Sequence, residues 1–113
     1  MKSSRYSSVI DKLSNGENII LDGATGSELE RRGVQMDNTW CGTASLEKEV
    51  LKQIHKDYIT AGSQIITTNT YASSRMLLES GGVGDKFEEI NLSAINAAID
   101  ARNETARDDV LIA

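Results

Sequence analysis

Three short runs of apolar, β-favouring residues divide the chain, and patterns typical of helices occupy the stretches between them. The runs are residues 19–21 (Ile-Ile-Leu), 65–68 (Ile-Ile-Thr-Thr) and 110–112 (Val-Leu-Ile), and they begin 46 and 45 residues apart. Each run is continuous rather than alternating, which is typical of strands covered on both faces of a parallel sheet. The spacing therefore predicts repeated βα units, in which a helix returns the chain to a neighbouring parallel strand.

Apolar periodicity and end signals predict five helices along the chain. They cover approximately residues 4–13, 25–32, 45–61, 74–80 and 85–105. Thr25 and Glu28 have the spacing of a capping box, in which the hydroxyl accepts from the third helical N–H and the carboxylate bonds back. Gly33 and Gly62 follow the second and third helices and are expected to end them.

Helical periodicity also predicts which side chains face the core. For the first helix these side chains are Tyr6, Val9, Ile10 and Leu13. For the third helix they are Leu46, Val50, Ile54, Tyr58 and Ala61. For the last helix they are Phe87, Ile90, Ala94, Ala98 and Ala101.

The length of 113 residues, with 39% hydrophobic and 26% charged residues, allows one domain or one part of a larger domain. A complete (β/α)₈ barrel needs about 250 residues, whereas this pattern gives about three βα units. We therefore expect an α/β fold that forms the N-terminal part of a (β/α)₈ TIM barrel and is truncated after its third strand. Residues 1–113 would form one segment of a single barrel domain, and residues 1–16 would provide a helix before the first strand.

The third predicted strand would leave one edge of the sheet open. An open strand presents unpaired N–H and C=O groups that can pair with another chain. The sequence therefore also allows self-association through this edge. A closed, flavodoxin-like α/β domain is the third arrangement compatible with the pattern.

Charge and composition argue against several classes of function. The net charge of −5 and the pI of about 4.8 argue against a nucleic-acid partner, because phosphate binding needs a basic face. No apolar run approaches the roughly 18–20 residues of a membrane span. Cys41 is the only cysteine, which excludes an intrachain disulfide and suits a reducing cytoplasm.

An acidic residue follows the first predicted strand. Asp22 and Gly23 open a glycine-bearing turn that leads into the second helix. A carboxylate at the C-terminal end of a barrel strand lies where barrel enzymes have their active sites. The alternative is that Asp22 caps the turn and that the glycines merely allow it.

Five hydrogen-bonding residues follow the second predicted strand, namely Thr67, Thr68, Asn69, Thr70 and Tyr71. Such a run at a strand end can orient a polar small molecule. The simpler interpretation is that the threonines favour a strand and that Asn69 makes an ordinary turn. Because this run repeats the placement of Asp22 one unit later, we favour a binding site.

Three further residues carry weaker signals. Trp40 is the only tryptophan, and it either forms a pocket wall or anchors its polar loop. Cys41 has no cysteine or histidine partner at a metal-binding spacing. His55 lies within the third helix and is interpreted as a structural or surface histidine.

These motifs resemble the N-terminal part of the homocysteine S-methyltransferase family. The resemblance is carried by residues 19–33, Trp40, residues 54–62 and residues 65–73. It implies a zinc-dependent (β/α)₈ barrel that transfers a methyl group to the thiol of homocysteine and produces methionine. The methyl donor would be betaine, S-methylmethionine or a methyl-cobalamin or folate compound, and the sequence does not choose between them.

The resemblance also assigns roles to individual residues. Asp22 would hold the amino group of homocysteine, and Gly23 would present backbone N–H groups. Thr68, Asn69 and Tyr71 would line the pocket, and Trp40 would border the methyl donor. The zinc-binding cysteines of the family come from later strands that this chain lacks, so the chain alone is expected to be inactive. A non-catalytic α/β binding or self-associating module is the alternative.

Overall fold

The computed structural model describes residues 4–113, in which α-helices alternate with a small parallel sheet. The helices are α1 (Arg5–Ser14), α2 (Gly26–Arg31), α3 (Lys48–Ala61), α4 (Arg75–Ser80) and α5 (Phe87–Glu104). The strands are β1 (Ile65–Ile66) and β2 (Leu111–Ile112). Two 3₁₀ helices, Thr43–Leu46 and Gly84–Lys86, precede α3 and α5. The predicted order of the helices is therefore confirmed, and the second and third predicted strands are present in shorter form.

The sheet is parallel, and its strand ends lie at one edge. Ile65 lies opposite Leu111 in the pairing of β1 with β2. Leu21 makes an isolated parallel bridge to Ile65 on the other side of β1. The three runs predicted from the sequence are thus neighbours with the same direction, and residues that follow them meet at the same edge.

The first of these runs does not form a full strand, which corrects the sequence prediction. The amide of Ile20 donates to the side-chain Oε1 of Gln64 at 2.8 Å instead of to a backbone carbonyl. Ile20 and Leu21 are also exposed, so the expected cover on both faces is missing there. Ile66 in β1, by contrast, is fully buried as predicted.

The core lies between α3, α5 and the sheet. One cluster joins α2, the 3₁₀ helix, α3 and α5 through Leu29, Ala44, Leu51, Ile54, Ala94 and Ala97. A second cluster joins α3 and α5 to the sheet region through Ile59, Ile66, Ala98, Ala101 and Val110. The small alanines of α5 allow α3 to approach it closely.

The buried face of α3 is rotated relative to the predicted stripe. Its buried side chains are Leu51, Ile54, His55 and Ile59. Val50 and Tyr58 are half-buried, and Ala61 is exposed. Leu46 is exposed because α3 begins only at Lys48, after the non-helical Glu47. In α5 the prediction holds for four of its five residues, while Phe87 is half-buried and Ala97 joins the core.

Helix α1 matches the predicted range, but its apolar stripe is not buried. Tyr6, Ile10 and Leu13 are exposed. The helix is held instead by Arg5, whose guanidinium lies 2.6 Å from the carboxylate of Asp108. Within residues 4–113, none of the helices is long and apolar enough to cross a membrane.

The predicted capping box at α2 is wrong. Thr25 has helical backbone angles, with φ −97° and ψ −48°, and its side chain makes no capping hydrogen bond. The carboxylate of Glu28 accepts from Arg31 at 2.6 Å and from Arg32 at 3.1 Å instead of bonding back to Thr25. Gly33 ends the helix with φ +93°, as expected for a residue after a helix C-terminus.

The side chain of Ser74 caps helix α4, whereas the side chain of Thr25 does not cap helix α2. The two residues therefore provide a matched pair of variants. The Oγ of Ser74 accepts from the backbone N–H of Leu77 at 3.3 Å. Ser74→Ala should therefore lower the free energy of unfolding by about 1 kcal/mol. Thr25→Ala should lower it by less than about 0.5 kcal/mol. Urea denaturation of both variants checks this, and equal losses would contradict the assignment of the cap.

Candidate functional site

The ends of two neighbouring strands join through Asp22 and Thr67. Carboxylate Oδ2 of Asp22 accepts from the backbone N–H of Thr67 at 2.8 Å. Its Oδ1 accepts from the Thr67 hydroxyl at 3.1 Å. The backbone N–H of Asp22 donates to the carbonyl oxygen of Ile65 at 3.1 Å, and this bond fixes the register of residues 21–22 against β1. The carboxylate and the hydroxyl therefore form one polar cluster at the C-terminal edge of the sheet.

This cluster can accept a further hydrogen-bond donor. A carboxylate has roughly four lone-pair positions, and the two bonds to Thr67 leave the others available. Asp22 is half-buried and Thr67 is exposed. A ligand ammonium group that approaches from solvent would meet a negative charge held in place by two hydrogen bonds.

Gly23 and Tyr58 fix the turn beside this carboxylate. A Cβ atom at Gly23 would lie 2.8 Å from Oη and 3.1 Å from Cε1 of Tyr58. The Tyr58 hydroxyl donates to the carbonyl oxygen of Ala24 at 2.8 Å, and burial raises the pKa of this phenol. Gly23 is therefore required because helix α3 contacts the turn directly.

Thr68 faces the next strand end instead of Asp22. Its N–H donates to the carbonyl oxygen of Ala113 at 2.8 Å. Its hydroxyl shares a hydrogen bond with that of Thr70 at 2.9 Å. The pocket residues implied by the family resemblance do not include Thr67. Alternation along a strand places Thr67 and Thr68 on opposite sides, but it does not say which of them faces Asp22.

Asn69 lies inside the protein. Only 7% of the residue is exposed, and its amide nitrogen donates to the carbonyl oxygen of Cys41 at 2.8 Å. The same nitrogen donates to the Ser45 hydroxyl at 2.9 Å. The structure thus directs the side chain of Asn69 into the 41–45 segment, away from the position expected for a pocket-lining group.

Trp40 and Tyr71 project from the surface, with 64% and 92% of each residue exposed. Trp40 has φ +59°, a value that is unfavourable for a bulky residue and costs about 1–3 kcal/mol. Its N–H donates to the carbonyl of Asp37 at 2.9 Å. The surrounding structure therefore holds the Trp40 backbone in a conformation that it would not adopt alone.

Asp37 organises the loop that carries Trp40. Its carboxylate accepts from the N–H and the hydroxyl of Thr39 at 2.7 and 2.5 Å, and also from the hydroxyl of Thr43. Partial burial favours the neutral acid, but these hydrogen bonds hold the pKa of Asp37 below its ordinary value. The carboxylate stays ionised and keeps the loop closed at neutral pH.

Cys41 is half-buried, and His55 is fully buried. Burial raises the pKa of the Cys41 thiol, which donates to Oδ1 of Asn69 at 3.3 Å, so the group is a poor nucleophile at neutral pH. His55 is fully buried, and neither ring nitrogen has a hydrogen-bond partner within residues 4–113. Burial lowers the pKa of His55, and the charge of Asp22 opposes this effect.

The described part of the chain does not offer a metal site. Across residues 4–113, no group of three His, Cys, Asp or Glu side chains is placed to hold a metal ion. The side chains at the strand ends include one carboxylate, hydroxyls and an amide, which do not form the nitrogen and sulfur set that zinc prefers. Metal binding is therefore not assigned to these residues.

A parallel α/β segment with a carboxylate and a hydroxyl at adjacent strand ends is typical of enzymes that bind small molecules at the C-terminal edge of the sheet. Sequence comparison identifies the group more closely. The model of the homocysteine S-methyltransferase family matches residues 19–113. The chain belongs to this family, and the resemblance found in the sequence is confirmed.

Individual relatives agree with this assignment. The chain is 30% identical to the S-methylmethionine–homocysteine S-methyltransferase of Pongo abelii over 106 residues, 93% of this chain and 27% of that protein. It is 33% identical to betaine–homocysteine S-methyltransferase 1 of Danio rerio over 99 residues, 85% of this chain and 25% of that protein. Homocysteine S-methyltransferase YbgG of Bacillus subtilis is 36% identical over 90 residues, 76% of this chain and 28% of that protein.

The fold has a counterpart among solved structures. The metallated form of the homocysteine methyltransferase MmuM from Escherichia coli superposes with a TM-score of 0.77 at 26% identity. The match covers 97% of this chain and 40% of the MmuM chain. The chain thus spans about a quarter of the length of the curated relatives that it matches.

Proposed function

We propose that this chain supplies the amino-acid-binding part of a homocysteine S-methyltransferase, an enzyme that methylates the thiol of homocysteine and produces methionine. The observation that carries the proposal is the Asp22 carboxylate, which Thr67 holds by two hydrogen bonds at a strand end. Membership of the family supports the choice of homocysteine. The parallel order of the strands supports the wider proposal that the segment is the N-terminal part of a (β/α)₈ barrel.

Asp22 would bind the ammonium group of homocysteine. A charge-assisted hydrogen bond of this kind is shorter and stronger than one between neutral groups. Thr67 would keep the carboxylate in one orientation, so the side chain of the bound amino acid would extend in one direction. The thiol would then be presented to the methyl donor at a fixed place.

The chemical step is a substitution at a methyl carbon. The thiol loses its proton to solvent, and the resulting thiolate, the competent nucleophile, forms a carbon–sulfur bond with the methyl group. The bond between that methyl group and the donor breaks, and the donor's heteroatom keeps the electron pair. In this proposal, Asp22 and Thr67 bind and orient the amino acid and take no part in the exchange of electrons.

Trp40 would lie on the side of the methyl donor. The names of the relatives include betaine and S-methylmethionine, which carry a quaternary ammonium and a sulfonium group. An exposed indole face attracts such cations. The large exposed fraction of Trp40 supports this role, and the same ring would serve either donor.

Zinc, which the family resemblance implies, would need ligands that residues 4–113 do not provide. The metallated MmuM structure supports a metal in the family. The roles proposed for Asp22 and Thr67 do not depend on this metal.

The single cysteine supports a reducing cytoplasm as the location of the protein.

Titration of the 113-residue chain with L-homocysteine, followed by amide NMR shifts, tests the proposal. We expect saturable shifts centred on Asp22, Gly23 and Thr67. The matched control ligand is 4-mercaptobutyric acid, which keeps the thiol and carboxylate but lacks the amino group and should leave these signals unchanged. Equal shifts with both ligands, or shifts confined to other elements, would contradict the proposed role of Asp22.

A further inference from the structure

One amide connects the end of β1 to the loop that carries Trp40. The side-chain Nδ2 of Asn69 donates two hydrogen bonds, one to the carbonyl oxygen of Cys41 at 2.8 Å and one to the hydroxyl of Ser45 at 2.9 Å. Its oxygen accepts from the Cys41 thiol at 3.3 Å. These three contacts, which we call the Asn69 clamp, therefore bind both ends of the 41–45 segment.

The loop also lies directly against the backbone that follows Asn69. A Cβ atom at Gly42 would lie 2.6 Å from the carbonyl oxygen of Ala72. Gly42 is buried, and no side chain fits between it and this carbonyl oxygen. The clamp is therefore reinforced by packing, and the segment between Trp40 and Ser45 is held on the chain that leaves β1.

The Trp40 ring itself has little packing to hold it, because most of the residue is exposed. Its direction depends on a left-handed backbone conformation with φ +59°. Such a conformation persists only where neighbouring structure imposes it. Asp37 holds the start of this loop through Thr39, and the Asn69 clamp holds the end.

We propose that Asn69 is a positioning residue, which fixes the Trp40 loop relative to the strand end that carries Asp22 and Thr67. This differs from the pocket-lining role that the family resemblance implied, because both N–H groups and the oxygen of the Asn69 side chain already make hydrogen bonds within the protein. Its importance for methyl transfer rests on the proposed function, since the clamp would set the indole of Trp40 at a constant place beside the bound amino acid.

The clamp requires an amide at position 69. A carboxylate of the same shape cannot donate to the Cys41 carbonyl, and it would place a negative charge against that oxygen. Asn69→Asp should therefore release the loop, although it preserves side-chain volume. Ser73→Ala is the matched control, because within residues 4–113 the Ser73 hydroxyl hydrogen-bonds only to the backbone carbonyl oxygen of Asn69, at 3.4 Å, and not to its side chain.

The chain contains its own reporters, since Trp40 is its only tryptophan and Cys41 its only cysteine. For Asn69→Asp we expect lower fluorescence anisotropy of Trp40 and alkylation of Cys41 by iodoacetamide about tenfold faster than in the wild type, because buried donors and acceptors lose their partners. Ser73→Ala should stay within about twofold of the wild type for both signals.

Ser45→Ala provides a milder variant in case Asn69→Asp does not fold, as judged by circular dichroism. It removes one of the bonds donated by the Asn69 side chain, together with the bond that the Ser45 hydroxyl donates to the Asn69 carbonyl oxygen at 3.3 Å. It should accelerate alkylation about threefold. Wild-type anisotropy and alkylation rates in a folded Asn69→Asp chain, or in Ser45→Ala where the former is unfolded, would overturn the proposal.

The homocysteine titration separates this proposal from the proposed function. A folded Asn69→Asp chain should keep the ligand-induced shifts at Asp22 and Thr67 while Trp40 becomes mobile. Loss of those shifts in the variant alone would assign Asn69 a direct substrate contact and overturn the positioning role. Absence of the shifts in the wild type would contradict the proposed function. The anisotropy of Trp40 and the alkylation rate of Cys41 would still decide whether the Asn69 clamp holds the loop.

Discussion

Replacing Asp22 by asparagine should weaken the binding of L-homocysteine by about tenfold or more. Asparagine has the same shape, and its oxygen can still accept from the N–H of Thr67. Its amide nitrogen can donate to the Thr67 hydroxyl in place of the present acceptor contact. The local structure should therefore survive, while the charge that would bind the ligand ammonium group is lost.

The measurement is the dissociation constant from the NMR titration, compared with two control variants. Asp11→Asn changes the net charge equally on an exposed position of α1 and should leave affinity within about twofold. Thr67→Val removes the hydroxyl that orients the carboxylate, so its loss of affinity should be smaller than that of Asp22→Asn. An unchanged dissociation constant in Asp22→Asn would remove this carboxylate from the binding site.

Lowering the pH from 7.5 to 5.5 should reduce the free energy of unfolding by up to about 1.4 kcal/mol through His55 alone. The ring is fully buried, and burial holds its pKa below the ordinary value of 6.5. Below pH 6.5 the unfolded chain therefore binds a proton that the folded chain does not. Stability contributed by the neutral ring is fully present above that pH and is lost as the pH falls towards the folded-state pKa.

This pH interval isolates His55, because it is the only histidine of the chain. Carboxylates with lowered pKa values, such as Glu28 and Asp57, affect stability mainly below about pH 5. Urea denaturation of the wild type and of His55→Gln at pH 5.5, 6.5 and 7.5 provides the measurement. The variant should lose most of the pH dependence, and an unchanged slope would show that other groups cause it.

The sequence predicted that Asp22 and the polar residues 67–71 would lie at the same edge of the sheet. The parallel pairing of the strands places them at that edge. The choice between Thr67 and Thr68 depended on register, because neighbouring residues of a strand point to opposite sides. The bridge between Leu21 and Ile65 brings Thr67 to Asp22. A short apolar run does not encode that bridge, so sequence alone could not select the correct threonine.

The rotation of α3 had a similar cause. Ile54 belongs both to the predicted stripe with Val50 and Tyr58 and to the observed face with Leu51 and His55. Helical periodicity therefore allowed either face. The close approach of the alanines of α5 selects the second, and this is a property of the partner helix. His55 lies on this buried face, and its burial could not be predicted from α3 alone.

Under the proposed function, the contact between Tyr58 and the turn at Gly23 would make ligand affinity depend on the packing of two helices. Tyr58 belongs to α3 and packs against the cluster that includes Ala94 and Ala97 of α5. A displacement of α3 by a few tenths of an ångström would push the phenol ring against the backbone next to Asp22. Exchanges of alanine for larger residues in α5 should thus alter ligand selection at a distance, which gives evolution a means of tuning this edge without touching it.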